Sequence, residues 1–280
     1  MQKIIEEVAP GVIRVTTDDS RFYGFDRKDP LTGLPIKKWK ASITWISSFL
    51  VKDTNLLRWM ANKGYDEAQA YMGQKGARGS MIHAGCEQLV LTGSVKMDDI
   101  FIDKDTNEAR TLTPDEYENV MFYRDWLLSE KPEILFVEKT VEDSDDALGI
   151  AGTVDLGIIR KGKKQIIDIK SGNHYMEHDM QVSAYRYCLG EEWKDADMIA
   201  LHLGRNLNKK KGYRETVLED RFDLFLAVRK SWEAKTKERG PLQRDFPLAI
   251  TLTDEEMKMY TPNLKVDGEK KSKKANTSKA

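Results

Sequence analysis

Three charged residues in the middle of the chain have the types and spacing to do chemistry. Asp155, Asp168 and Lys170 lie in GIAGTVDLGIIRKGKKQIIDIK, residues 149–170, which reads as a β-hairpin. Two runs rich in β-branched residues flank the turn-forming cluster Arg160-Lys161-Gly162-Lys163. Their alternation gives each strand a core face and a second face, and the second face carries the three charges. A turn centred on Lys161-Gly162 sets Asp155 opposite Asp168, and a loop shifted by one residue sets Asp155 opposite Lys170. In either register the paired Cα atoms lie roughly 4.5–5.5 Å apart. Two facing carboxylates repel, and a bound divalent cation removes that penalty. A lysine beside them suits a reaction that builds negative charge. Without a cation, the same residues would be a solvated sheet face with a surface ion pair.

These residues have company in both directions. Upstream, His83 and Glu87 stand four apart on a helical stretch running from about Arg78 to Leu91, so they share one face. Downstream, Gln181 and Tyr185 are one turn apart on a helix expected over Tyr175–Leu189. The ordered set Gly79-Ser80-Met81-Ile82-His83 with Glu87, Gly152-Thr153-Val154-Asp155, Asp168-Ile169-Lys170 and Gln181-Val182-Ser183-Ala184-Tyr185 resembles the PD-(D/E)XK nuclease superfamily. It is similar in particular to the RecB-like exonuclease branch, over about residues 79–187. The resemblance implies an α/β fold with a mixed, mainly antiparallel central sheet flanked by helices, in the order helix, three strands, helix, two strands. It implies hydrolysis of DNA phosphodiester bonds with Mg²⁺ or Mn²⁺ held by His83, Asp155, Asp168 and the Ile169 carbonyl. Oxygen donors suit either ion, and an imidazole tilts the preference toward Mn²⁺. Lys170 would orient the attacking water or stabilise the oxyanion, and Gln181 and Tyr185 would shape the site. Glu87 would position His83, touch DNA or simply be solvated. Some relatives carry a four-cysteine iron–sulfur cluster, which the two isolated cysteines here, Cys86 and Cys188, cannot supply.

Other elements must hold these groups in place. Residues 1–40 mix strand-like pieces with the turn-rich DRKDPLTGLP, and Ala41-Ser42-Ile43-Thr44 leads into an apolar helical pattern. An aromatic strand followed by S-x-T opening a helix resembles the front of phage and mitochondrial single-strand exonucleases. Arg21–Trp45 interleaves aromatics with cations, a composition that binds single strands through phosphate pairing and base stacking. Tyr23, Phe25 and Trp39 are therefore candidate DNA contacts, or else anchors of a small hairpin on the core. Leu56–Tyr71 reads as helix. Thr113-Pro114-Asp115-Glu116 opens a helix with an N-cap threonine and proline at the first position. Glu133–Val141 is a strand whose Glu138 points toward the site or sits on an edge. Asp197–Leu203 and Tyr213–Leu218 form a strand pair joined by a basic loop in which Lys209 and Lys210 are candidate phosphate contacts or else part of a plain solvated turn. Arg221–Arg239 is a helix. The division expected is an N-terminal arm over 1–74, a nuclease core over 75–262 and a basic disordered tail over 263–280.

Composition bounds the class. The 280 residues, 40% hydrophobic and 32% charged, describe a globular chain able to bury a substantial core. The 45 basic and 46 acidic residues nearly cancel, which excludes the global basic signature of a DNA-coating protein. No apolar run approaches the roughly 18 residues of a membrane helix, and the start lacks a signal-peptide pattern. Unpaired cysteines fit a cytoplasmic setting, bacterial or in a phage-infected host. The resemblance implies DNA as partner, single-stranded or with a free end, a recombination or single-strand-binding protein beside it, and a role in DNA recombination, repair or replication. An endonuclease of the same fold and an inactive DNA-binding or assembly module are the alternatives. The intact Asp168 and Lys170 favour an enzyme.

Overall fold

The computed structural model describes residues 4–17, 19–103, 108–205, 207, 211–236, 240–241 and 252–260. The chain forms two units, Met1–Leu242 and Gln243–Ala280. In the first, four antiparallel strands come first: β1 (Ile4–Ala9), β2 (Val12–Thr16), β3 (Arg21–Lys28) and β4 (Pro35–Ser42). Helices α1 (Ile43–Ser47), α2 (Thr54–Lys63) and α3 (Tyr65–Thr92) follow, then a short hairpin of β5 (Ile100–Ile102) and β6 (Ala109–Thr111), and α4 (Pro114–Glu130). Next come β7 (Glu133–Glu142), β8 (Ile150–Arg160), β9 (Lys163–Lys170), α5 (Met176–Leu189), β10 (Asp197–Leu203), β11 (Tyr213–Val217) and α6 (Phe222–Thr236). In the second unit α7 (Asp254–Tyr260) begins on a reciprocal cap between Thr253 and Glu256. No described helix is long and apolar enough to cross a membrane.

Among the described residues nine strands make one mixed sheet in the order β1-β2-β3-β4-β8-β9-β10-β11, with β7 paired to β8. The order helix, three strands, helix, two strands stands as α4, β7–β9, α5, β10–β11. The strands β1–β4 of the anticipated arm belong to this same sheet, because β4 pairs in parallel with β8 at Ala41↔Ile150 and Ser42↔Ala151. The β8–β9 turn falls on Lys161 and Gly162, with φ of 55° and 75°, a two-residue connection whose twist matches the strands. The pairs Arg160↔Lys163 through Leu156↔Ile167 set the register that aligns Asp155 with Asp168.

β8 is the branch point. Along one edge β7 pairs with it from Ala151 to Ile159. Its other edge is divided: β4 takes Ile150 and Ala151, and β9 takes Leu156 to Arg160. Between these partners residues 152–155 face a fork in the sheet. One core lies on α1, α5 and α6 and includes Phe22, Ile46, Val154, Tyr185 and Trp232. The other lies on α3 and α4 and includes Met81, Ile82, Tyr123, Trp126, Leu156 and Ile169.

Two helical readings shift. The stretch Leu56–Tyr71 is split at Gly64, whose φ of 90° lies outside helical space, and α3 then runs unbroken for 28 residues to Thr92. Gly73 and Gly76 interrupt the sequence pattern without ending the helix, at a cost of about 1 kcal/mol each. α4 is capped as its sequence predicts: Glu116 N–H donates to Thr113 Oγ1 and Thr113 N–H to Glu116 Oε2.

A buried charge cluster joins β4 to the β7–β8 loop. Lys40, 2% exposed, donates to the Asp143 carbonyl at 2.6 Å and Oδ1 at 2.9 Å, and also pairs with Glu142 and Asp146. The Asp143 carboxylate accepts the N–H groups of Leu148, Gly149 and Ile150 and so shapes the entry to β8. Asp143→Ala leaves a buried ammonium and three N–H donors short of partners, so we expect a loss of about 3–5 kcal/mol in urea unfolding. An unchanged midpoint would show that the loop does not need this clamp.

Candidate active site

The site lies in the fork of the sheet. At Leu156↔Ile167 the β8–β9 ladder stops, and the Asp155 side chain continues it: Ile169 N–H donates to Asp155 Oδ2 at 2.7 Å. The Ile169 carbonyl lies 2.8 Å from His83 Nε2 on α3. A carbonyl can only accept, so Nε2 carries the hydrogen and Nδ1 is turned toward the carboxylates. Nδ1 lies 3.5 Å from Asp155 Oδ1 and 3.9 Å from Glu138 Oε1. Glu138 faces Asp155 from β7, where its φ of 46° is left-handed and unusual for a non-glycine residue. Such a backbone costs roughly 1–2 kcal/mol, a strain found most often where a side chain must be aimed.

Lys170 Nζ donates to Asp168 Oδ1 at 2.9 Å and lies 2.8 Å from Oδ2. Asp168 is 2% exposed, so this ion pair is largely shielded from solvent. On α5, Gln181 Nε2 donates to Tyr185 Oη at 2.7 Å and to Thr44 Oγ1 at 3.2 Å. The Tyr185 ring lies over Gly152, where an added Cβ would come within 2.4 Å of Cε1. The glycine that opens the GTVD segment is thus required by the tyrosine that closes the site.

Electrostatics separates the two aspartates. Burial disfavours the Asp155 anion, but the His83 imidazolium, Lys170 and the Ile169 N–H outweigh it and hold its pKa below the usual carboxylate range. Burial likewise opposes a charged His83, yet Asp155 and Glu138 raise it to about 10. Asp168 goes the other way: burial, with Asp155 beside it, pushes it up to about 6 despite Lys170. On α5, burial followed by the Lys170, His174 and His202 charges lowers His178 to about 3.

The cleft above these groups has a volume of about 740 Å³. Asp155, Lys170, His83, Ile169, Gln181 and Tyr185 all line it, as does Tyr23, whose hydroxyl meets Thr153 at 3.2 Å. Asp168 lies beneath Lys170 and is not part of the lining; Glu87, half-buried one turn beyond His83, is not part of it either. Phe25 and Trp39 do not offer faces to a strand here. Phe25 is 4% exposed in a small core with Tyr23 and Ala151, and Trp39 packs over Gly24 against the opposite core. Strand alternation turns Trp39 away from the face that carries Tyr23, whereas Phe25 shares that face and is covered by the small core. Lys209, Lys210 and the 263–280 tail lie outside the described residues. The cleft also gathers Arg14, Tyr71, Lys75 and His178, whose sequence neighbours gave no sign of it, and Thr44 from the S-x-T that opens α1.

The donor set fits a divalent cation. Among the described residues, His83, Glu138 and Asp155 offer ligand atoms all within 4.8 Å of one another. One imidazole and two carboxylates suit Mn²⁺ or Mg²⁺. Glu138 joins His83 and Asp155, the Ile169 carbonyl accepts from His83, and Asp168 is engaged by Lys170. An outer hydrogen bond that fixes the tautomer of a ligating histidine is a usual accompaniment of metal binding.

No protein-family model and no curated relative matches the sequence. Among solved structures, the chain is similar to an alkaline exonuclease from Laribacter hongkongensis at 12% identity, over 70% of this chain and 84% of that one, with a TM-score of 0.36. The complex of that exonuclease with dAMP matches at 14% identity, over 69% and 83%, with a TM-score of 0.35. Similarity of that order carries no inference about chemistry, which the side chains must supply.

The aspartates predict opposite mutational signs in the metal-free protein. A carboxyl whose pKa is raised on folding carries no penalty below its ordinary value of 3.8 and destabilises as pH rises through about 6. Asp168→Asn, which mimics the protonated acid, should therefore gain stability relative to the unaltered chain between pH 4 and 7, on the order of 1–3 kcal/mol. Asp155→Asn should lose stability at pH 7, because a lowered pKa contributes stability that is present above 3.8. Urea unfolding in chelator across this range checks both, and equal signs for the two variants would refute the assignment.

Proposed function

We propose that this protein is a divalent-metal-dependent deoxyribonuclease of the PD-(D/E)XK type, acting as an exonuclease. The observation that carries this reading is the convergence of His83 Nδ1, Glu138 and Asp155 beside Lys170 at the floor of one cleft. Hydrolysis adds water across a P–O bond and leaves a phosphate on one product and a hydroxyl on the other. A bound Mg²⁺ or Mn²⁺ would lower the pKa of the attacking water and neutralise the charge that builds on phosphorus. Asp155, Glu138 and His83 Nδ1 would hold that ion, with the Ile169 carbonyl accepting from His83 Nε2. Asp168 secures Lys170, whose ammonium orients the water or stabilises the developing oxyanion. Gln181, Tyr185 and Thr44 form one hydrogen-bonded wall against which the scissile strand rests. Arg14 and Arg21, also in the cleft lining, add positive charge along the path of the backbone. The setting we assign is DNA recombination or repair in a bacterial or phage-infected cytoplasm, on substrates with a free end.

Degradation of end-labelled linear DNA should stop in excess chelator and return with Mn²⁺ or Mg²⁺, while closed circles survive. Full activity in chelator would end the metal reading, and rapid cutting of circular single strands would replace the exonuclease by an endonuclease. Lys170→Ala should lower the turnover rate by about 10²–10³ with little change in DNA affinity. A variant that binds weakly but turns over normally at saturation would make Lys170 a phosphate contact only.

A further inference from the structure

The long helix α3 lines the cleft along one stripe. Tyr71, Lys75, Gly79 and His83 follow one another at intervals of four residues, with Gly76 and Ser80 beside them, and all six lie in the cleft lining. At the far end from His83, Tyr71 is 44% exposed. The Lys63 and Lys75 ammoniums lie 5.7 and 5.3 Å from its ring centroid, and the Trp59 ring stands edge-on at 5.7 Å. Lys63 also pairs with Glu67, whereas Lys75 is exposed. Helix α2, which supplies Trp59 and Lys63, has no buried residue.

Between Lys75 and His83 the cleft-lining stripe of the helix carries only Gly76, Gly79 and Ser80. An added Cβ at Gly76 would meet nothing within 4 Å, and one at Gly79 only Ser171 Oγ at 3.8 Å. Internal packing therefore does not require glycine at either position, although each weakens a helix relative to alanine. Glycine remains useful where another backbone must pass close to the helix.

We infer that this stripe is the track of an unpaired nucleic-acid strand, with Tyr71 as the platform on which a base stacks. The inference rests on the nuclease reading and gives it a substrate geometry. Lys63 and Lys75 match the phosphates, the tyrosine face matches any base, and Gly76 and Gly79 admit the sugar–phosphate backbone. Twelve residues of helix separate Tyr71 from His83, about 18 Å. A stacked strand advances about 3.4 Å per nucleotide, so the platform engages a base about five nucleotides from the reacting phosphate.

Fluorescence anisotropy with labelled oligothymidylates tests this, using the full chain with Asp155→Asn to prevent cleavage. Tyr71→Ala should weaken binding of a single-stranded 15-mer by about 5- to 100-fold, a loss that Tyr71→Trp restores and that a trinucleotide does not report. Gly76→Ala should raise the melting temperature while weakening the 15-mer, a combination that a purely structural glycine would not give. Unchanged 15-mer affinity in Tyr71→Ala overturns the track, and DNA hydrolysis by the unaltered chain would then leave the nuclease reading standing. An equal loss on a blunt duplex overturns the assignment to an unpaired strand. Binding lost with Tyr71, by a chain that cuts no DNA with any divalent ion, would keep the track and remove the nuclease.

Discussion

The divided edge of β8 is the constraint on which the site depends. A strand edge can pair with one neighbour at a time, and β8 gives the start of one edge to β4 and the end to β9. The partners diverge over residues 152–155, so the sheet opens where backbone donors and acceptors lack a ladder on that side. Burying such groups unpaired is costly. Asp155 meets the need by accepting the Ile169 N–H, and Ile169 in turn accepts from His83. The bonds that repair the fork therefore also orient the functional groups.

Charge is confined in the same place. Asp155, Glu138, His83, Asp168 and Lys170 meet in a small partly buried volume, where isolated charges would be expensive and paired ones are tolerated. The groups sort into two partnerships: His83 with Asp155 and Glu138, and Lys170 with Asp168. The first leaves ligand atoms facing one point; the second holds a cation beside it. The left-handed Glu138 and the raised Asp168 pKa are both unfavourable to the folded chain alone.

Support for the fork comes from distant parts of the chain. Lys40 and Asp143 tie β4 to the loop that feeds β8, so the first residues of the branch are held by a buried ion pair. Tyr185 packs over Gly152 and bonds to Gln181, coupling α5 to the same branch. α3 crosses the opening with His83 at the fork and Tyr71 far along the cleft.

Much of this was legible in the sequence because it depended on local chemistry. The β8–β9 hairpin followed from β-branched alternation about Lys161-Gly162, and its turn decided the Asp155–Asp168 register. The start of α4 followed from Thr113, Pro114 and Glu116, whose side chains satisfy their own helix end. Spacing placed His83 and Glu87, and Gln181 and Tyr185, on common helical faces, since a helix repeats every 3.6 residues whatever surrounds it. What lay beyond the sequence was every choice between two faces or two partners. Tyr23 and Trp39 both sit in an aromatic, basic stretch, and only the pairing of β3 with β4 turned one into the cleft and the other into the core. Glu138 was one acid on an apolar strand until a left-handed backbone aimed it at Asp155. Tyr71 and Lys75 carried no signal, because they reach the site only through the length of α3. Residue types and short-range periodicity fix what a segment can be, whereas the neighbours that make it a site are brought together by contacts between residues far apart in the chain.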